Sequence, residues 1–138
     1  MTTAPEHASA DWPVTVISIG TSCQSAWQAR HYTNVPKASY FDWLVAPTER
    51  MIDFLGRGTA RWRLHDIEPC HHVNAVQDRE TGLFYPHDFL DENRQAMVTP
   101  DKLAAAREKY SYLAERFSVD MASDRMTIFV WQNVQKDL

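Results

Sequence analysis

Glycine is scarce in this chain, with four residues among 138. They are Gly20, Gly56, Gly58 and Gly82. A phosphate-cradling loop needs two or three glycines close together so that the backbone can approach the anion, and Gly20 stands alone after its strand. Cysteine is scarcer still. Cys23 and Cys70 cannot supply the disulfide framework of a secreted domain of this size, so a reducing, cytoplasmic location is expected. No apolar run approaches the ~20 residues of a membrane-spanning helix, and no membrane partner is expected. The N-terminal stretch carries Glu6 and His7 but neither a basic nor an apolar signal region. Positive charge is also in deficit: 14 Lys and Arg face 18 Asp and Glu, a formal net charge of −4. That balance provides no footprint for nucleic acid. No internal repeat or cofactor-binding signature occurs, and no cofactor is expected.

What is present is the composition of one globular domain. Hydrophobic residues make up 44% and charged residues 23%, which argues against gross disorder. Residues 1–12 read as a flexible tail and residues 13–138 as a single α/β domain. Val14 to Ile19 is a β-branched apolar run, the composition of a buried strand, and Gly20 stops it. Behind Cys23, Ala26, Trp27 and Arg30 share a helical face. Pro47 is the expected first residue of a short helix through Met51, Ile52 and Leu55. Trp62, Leu64 and Ile67 alternate weakly, and Pro69 is expected to break any regular element there. Val73 to Val76 and Leu83 to Tyr85 flank a polar turn and predict a β-hairpin. Thr99 and Pro100 open a long helix on which Leu103, Ala106, Tyr110, Leu113, Phe117 and Met121 keep three-and-four spacing. Met126 to Trp131 is a second apolar strand. The fold expected is α/β: a small layered sheet with two central parallel strands, joined by a long right-handed crossover, a β-hairpin and three or more flanking helices.

Ligands bind beyond the carboxyl ends of strands in such sheets, and Cys23 and Asn133 each follow one of the two apolar strands. At a helix N-terminus the free N–H groups and the helix dipole favour a thiolate, and the same amides hold an oxyanion. Cys23 is therefore a candidate nucleophile, against the alternative of a small buried hydrophobe closing a strand–helix joint. Gly20, Thr21, Ser22 and Gln24 form the turn around it. Asp42 lies inside an aromatic run, Tyr40 to Leu44, where neither helix nor strand period explains it, and a turn or capping role is its plainer reading. His87 follows the hairpin, a place where scaffolds present catalytic side chains, although a lone loop histidine is more often a surface residue. Cys70, His71 and His72 invite a metal, but adjacent side chains diverge and no second cluster has ligand spacing, so no metal is expected.

Four stretches occur together and in order: Ile17 to Cys23 (Ile-Ser-Ile-Gly-Thr-Ser-Cys), Ala26 to Arg30, Ser39 to Leu44 ending Phe-Asp-Trp-Leu, and His87–Asp88–Phe89. In combination they resemble the bacterial domain of unknown function 1796, a family described as papain-like cysteine peptidases. The resemblance runs from Val14 to Trp131 and implies a Cys–His hydrolase, a peptidase or amidase acting on a peptide or small-molecule substrate. In it Cys23 matches the nucleophile and His87 the base, with Asp42 or Asn133 as the group that orients the imidazole. Members of that family continue past the strand matching Met126–Trp131, so truncation at the C-terminus relative to the family is one expectation. The strand–Gly–x–Ser order also resembles the opening of SGNH-type esterases, which would make Ser22 the nucleophile. A third reading is a non-catalytic binding or assembly module with the aromatic loop as its contact surface. Both faces of Met126–Trp131 are apolar, which predicts a homo-oligomer burying surface there.

Overall fold

The computed structural model describes residues 14–19 and 39–131. The expected tail, the turn and helix around Cys23, and Asn133 lie outside the described residues. Strand β1, Val14–Ser18, alternates half-buried and buried positions until its last two residues, which are both buried. It pairs in parallel with β5, Met126–Val130, in the register Val14 to Met126 through Ser18 to Val130. A further bond from Ile19 N to Val130 O, 3.0 Å long, closes the carboxyl end of the pair. The β-branched content of both strands suits this extended pairing.

Helix α1, Thr48–Gly56, starts one residue later than the sequence suggests. Pro47 is its N-cap rather than its first turn, and the Pro47 carbonyl accepts from Met51 N at 3.0 Å. Met51 and Phe54 carry the buried face. A single 3-10 turn, Thr59–Arg61, follows, and the indole Nε1 of Trp62 donates to the Phe54 carbonyl at 3.0 Å.

The segment around Pro69 departs from expectation. Ile67–Cys70 forms β2, which pairs antiparallel with β3, Ala75–Asp78, and Pro69 stands opposite Val76. Proline is tolerated because β2 is an edge of the three-stranded order β2-β3-β4, where a missing outward N–H removes no ladder bond. β4, Phe84–Tyr85, completes the hairpin, and the Val45 backbone extends it by a bridge to Phe84. The hairpin turn needs its glycine: Gly82 has φ +77°, and a Cβ there would come within 2.8 Å of the Arg50 side chain.

Helix α2 spans Pro100–Ala122 with the predicted opening. Thr99 Oγ1 accepts from Lys102 N at 3.2 Å and Asp101 lies in the first turn, where the helix dipole favours an acid. Ala106, Tyr110, Leu113 and Ala114 are buried, whereas Met121, expected on the same face, is exposed beyond the end of the core.

The architecture is thus mixed α/β, with two separate sheets in place of one layered sheet. The hairpin takes β2 as its third strand, through hydrogen bonds between chain neighbours, and does not extend the parallel pair. Two α-helices, rather than three or more, occur among the described residues. The core holding these pieces together is aromatic. Trp62 stacks on Phe54 at 5.3 Å and meets Phe117 at 4.7 Å and Phe41 at 5.1 Å, and Tyr40 touches Phe41, Phe54, Trp62 and Tyr110. Edge-on and tilted rings of this kind add a quadrupole attraction to the burial of large apolar area.

Candidate active site

His87 lies two positions past the end of β4 and is exposed. Its imidazole is met edge-on by the Trp43 indole, with ring centroids 5.6 Å apart and planes at 78°. The segments carrying these two rings are tied to each other by backbone bonds: Val45 N donates to Phe84 O at 3.1 Å and Phe84 N to Val45 O at 2.8 Å. His87 is therefore displayed on a short loop whose root is a hydrogen-bonded bridge, a rigid way to present a side chain.

Beside it lies a hollow of about 130 Å³ lined by Val45, Val73, Ala75, Phe84 and Pro86. The register explains why. Phe84 pairs with Gln77 and Tyr85 with Val76, so Phe84, Ala75 and Gln77 share the outer face of the hairpin while Val76 and Tyr85 face the core.

The neighbour of His87 turns the other way. Asp88 is largely buried, and its carboxylate accepts from Lys109 Nζ at 2.7 Å and from the Tyr110 hydroxyl at 2.5 Å, both on α2. Adjacent side chains diverge, and this acid anchors the loop to α2. Tyr110 leads into a buried set of phenols with Tyr40 and Tyr85, whose ring centroids each lie 5.1 Å from that of Tyr110. The Tyr40 and Tyr85 hydroxyls lie close enough to act on each other electrostatically, but neither reaches hydrogen-bond geometry with a partner among the described residues. Burial holds all three phenols protonated well above the ordinary tyrosine range. For Tyr110 the Asp88 carboxylate adds to burial, through its charge and by accepting the phenol proton's hydrogen bond, and Asp42 contributes its charge.

Asp42 is buried, and its carboxylate accepts from Ser39 N at 3.0 Å and from Ser39 Oγ at 2.7 Å. These bonds are those of the turn aspartate, and they shape the loop that carries Trp43. Cys23, its turn residues Gly20, Thr21, Ser22 and Gln24, and Asn133 lie outside the described residues. Cys70 closes β2, and His71 and His72 occupy the four-residue turn into β3. Among the described residues no group of three His, Cys, Asp or Glu is arranged to hold a metal ion, and no helix is long and apolar enough to cross a membrane.

Two features were not legible beforehand. The Trp43–His87 contact joins residues 44 positions apart by way of a bridge that no local signal announces. Asp78, fully buried, accepts from the backbone N–H groups of His65 at 2.8 Å, Asp66 at 3.1 Å and Glu80 at 3.0 Å. The turn composition hints at the Glu80 bond, whereas the other two donors arrive from across β2. Compared with known proteins, the chain matches no family, no curated protein and no solved structure, so its resemblance to a family rests on the residues quoted for it.

Proposed function

We propose that this chain is a thiol hydrolase cleaving an amide or ester bond, with Cys23 as nucleophile and His87 as general base and acid. The observation that carries the reading is the parallel pairing of β1 with β5, closed by the Ile19–Val130 bond. The strand that leads to Gly20 and Cys23 thereby lies beside the strand that leads to Asn133, with their carboxyl ends together, the edge at which α/β sheets bind ligands. The exposed, braced imidazole of His87 supplies the second group. In this scheme the thiolate forms a C–S bond to the carbonyl carbon, and amides of the Gly20–Gln24 turn hold the oxyanion. The His87 imidazolium then protonates the leaving amine or alcohol as the C–N or C–O bond breaks. A water deprotonated by His87 hydrolyses the thioester and returns the thiol. Asp42 or Asn133 is the group that orients the imidazole.

A thiol-directed alkylating probe should modify Cys23 below about pH 7, and His87→Ala should slow that reaction by roughly tenfold or more. Reaction only in the alkaline range of an ordinary thiol, indifferent to His87, would sink the proposal. Hydrolysis of an ester substrate that is lost in Ser22→Ala and retained in Cys23→Ala would move the assignment to the esterase reading.

A second reading, an assembly module that self-associates, is favoured by one observation. On β5, which pairs with β1 alone among the described residues, Met126 is 67%, Ile128 46% and Phe129 47% exposed, so that both faces of the strand present apolar side chains. Sedimentation at micromolar concentration should then show species larger than the monomer, reduced by Ile128→Lys. A monomer at every concentration removes that reading.

A further inference from the structure

The geometry points to the hollow beside His87 as a subsite for one aliphatic side chain of the substrate, of the size of leucine or valine; this rests on the thiol hydrolase reading above. Among the described residues every one that lines it, Val45, Val73, Ala75, Phe84 and Pro86, is apolar, and Pro86 brings no backbone N–H to its wall. A charged or hydrogen-bonding group placed there would lose its water and find no partner from these side chains, so the chemistry selects hydrocarbon. Size selects how much. At about 130 Å³ the hollow is well below the cavities that enclose a drug-sized ligand, and close to the ~150 Å³ that holds a benzene-sized molecule.

Its depth comes from the small side chain of Ala75, which is buried, between the larger Phe84 and Val73. Its shape is held by the antiparallel pairing of β3 with β4 and by the two Val45–Phe84 backbone bonds. Such a wall is formed before anything binds, which spares the ordering cost that weakens flexible sites. Pro86 is also the residue directly before His87, and Val45 stands two positions after Trp43. An aliphatic group seated in the hollow would thus leave the atoms attached to it next to the loop of the general base. The substrate class that follows is a peptide or acyl compound with an aliphatic side chain beside the scissile carbonyl.

The test uses the full chain carrying Cys23→Ala, so that binding is read without turnover. N-acetyl-leucinamide and N-acetyl-glycinamide are titrated while the methyl resonances of Val45, Val73 and Ala75 are followed by NMR. Leucinamide should shift these methyls and give contacts from its own methyls to them. Glycinamide, lacking the side chain, should bind about tenfold more weakly or worse, since single methylene groups in apolar pockets are worth that much. Ala75→Leu should fill the hollow and abolish the shifts, and Val73→Trp, at its half-exposed rim, gives the same result should the buried substitution unfold the chain. Equal binding of the two amides, or shifts that persist in both variants, would overturn the subsite. Thiol reactivity of the unsubstituted chain separates this outcome from failure of the hydrolase reading. A reactive Cys23 with a silent hollow rejects the subsite alone, and an inert Cys23 with methyl contacts to leucinamide leaves the hollow as an apolar binding site.

Discussion

Titrated upward from about pH 9, the protein should unfold cooperatively between about pH 11 and 12, with tyrosinate absorbance rising at the same pH at which the far-ultraviolet circular dichroism is lost. Burial, reinforced by neighbouring acidic charge, holds Tyr40, Tyr85 and Tyr110 protonated in the fold well above their ordinary value of 10.0. The stability linked to these protons is fully present below about pH 10 and is lost above it, because only the unfolded chain releases them. At pH 11 each phenol favours the unfolded state by about 1.4 kcal/mol, so three together contribute about 4 kcal/mol, and each further pH unit adds about as much. Against a net stability of roughly 5–15 kcal/mol, that is enough to reach the midpoint.

Tyr85→Phe provides the sharper measurement. Its hydroxyl has no hydrogen-bond partner among the described residues, so its removal should cost little or even stabilise at neutral pH. The slope of stability against pH above about 10 should fall by roughly a third, since two phenols rather than three remain to be linked. Three buried tyrosines that ionise near pH 10 with the dichroism intact would contradict the account of this core.

Asp78→Ala should destabilise the fold by roughly 3–5 kcal/mol in urea titration, the second largest effect expected. The carboxylate collects three backbone N–H groups, and truncation leaves the donors of His65, Asp66 and Glu80 without their acceptor in a partly buried setting. It also unties two segments at once. The carboxylate joins the His65–Asp66 segment to the turn at Glu80, whereas the backbone bonds of Asp78 to Leu83 O and Gly82 N do not depend on its side chain. Asp78→Asn retains one acceptor oxygen and turns an amide donor toward a donor, so about half the loss is expected. A change under about 1 kcal/mol for the alanine variant would show that water replaces the carboxylate.

Several elements of this molecule are written in local residue order. Helix α2 begins where Thr99, Pro100 and Asp101 satisfy the first free amides and the dipole, and its buried face recurs every three to four residues. The hairpin follows from two extended runs and a glycine at φ +77°, and β1 and β5 follow from β-branched and apolar runs. Each of these signals is contained within one turn, one helix or one strand, where the physical cause acts between near neighbours. The bonds of Asp42 to Ser39, three residues back, belong with them.

Tertiary structure alone decided the rest. Pro69 is a strand residue because its strand, among the described residues, has a neighbour on one side only, which depends on how strands are ordered and not on the residues beside the proline. The hairpin pairs with β2 rather than with the parallel strands, although the apolar character of each would suit either partner. Asp78 becomes an acceptor for donors 12 and 13 residues away, Asp88 an anchor for groups 21 and 22 residues away, and His87 a partner of Trp43, only once separate segments have packed. The phenols of Tyr40, Tyr85 and Tyr110 gather because bulky rings from a loop, a strand and a helix fill one core, and it is that burial which sets their protonation. Local order names the side chains able to do chemistry; which of them meet, in what dielectric and beside which hollow, is fixed by contacts between segments that are remote in the chain.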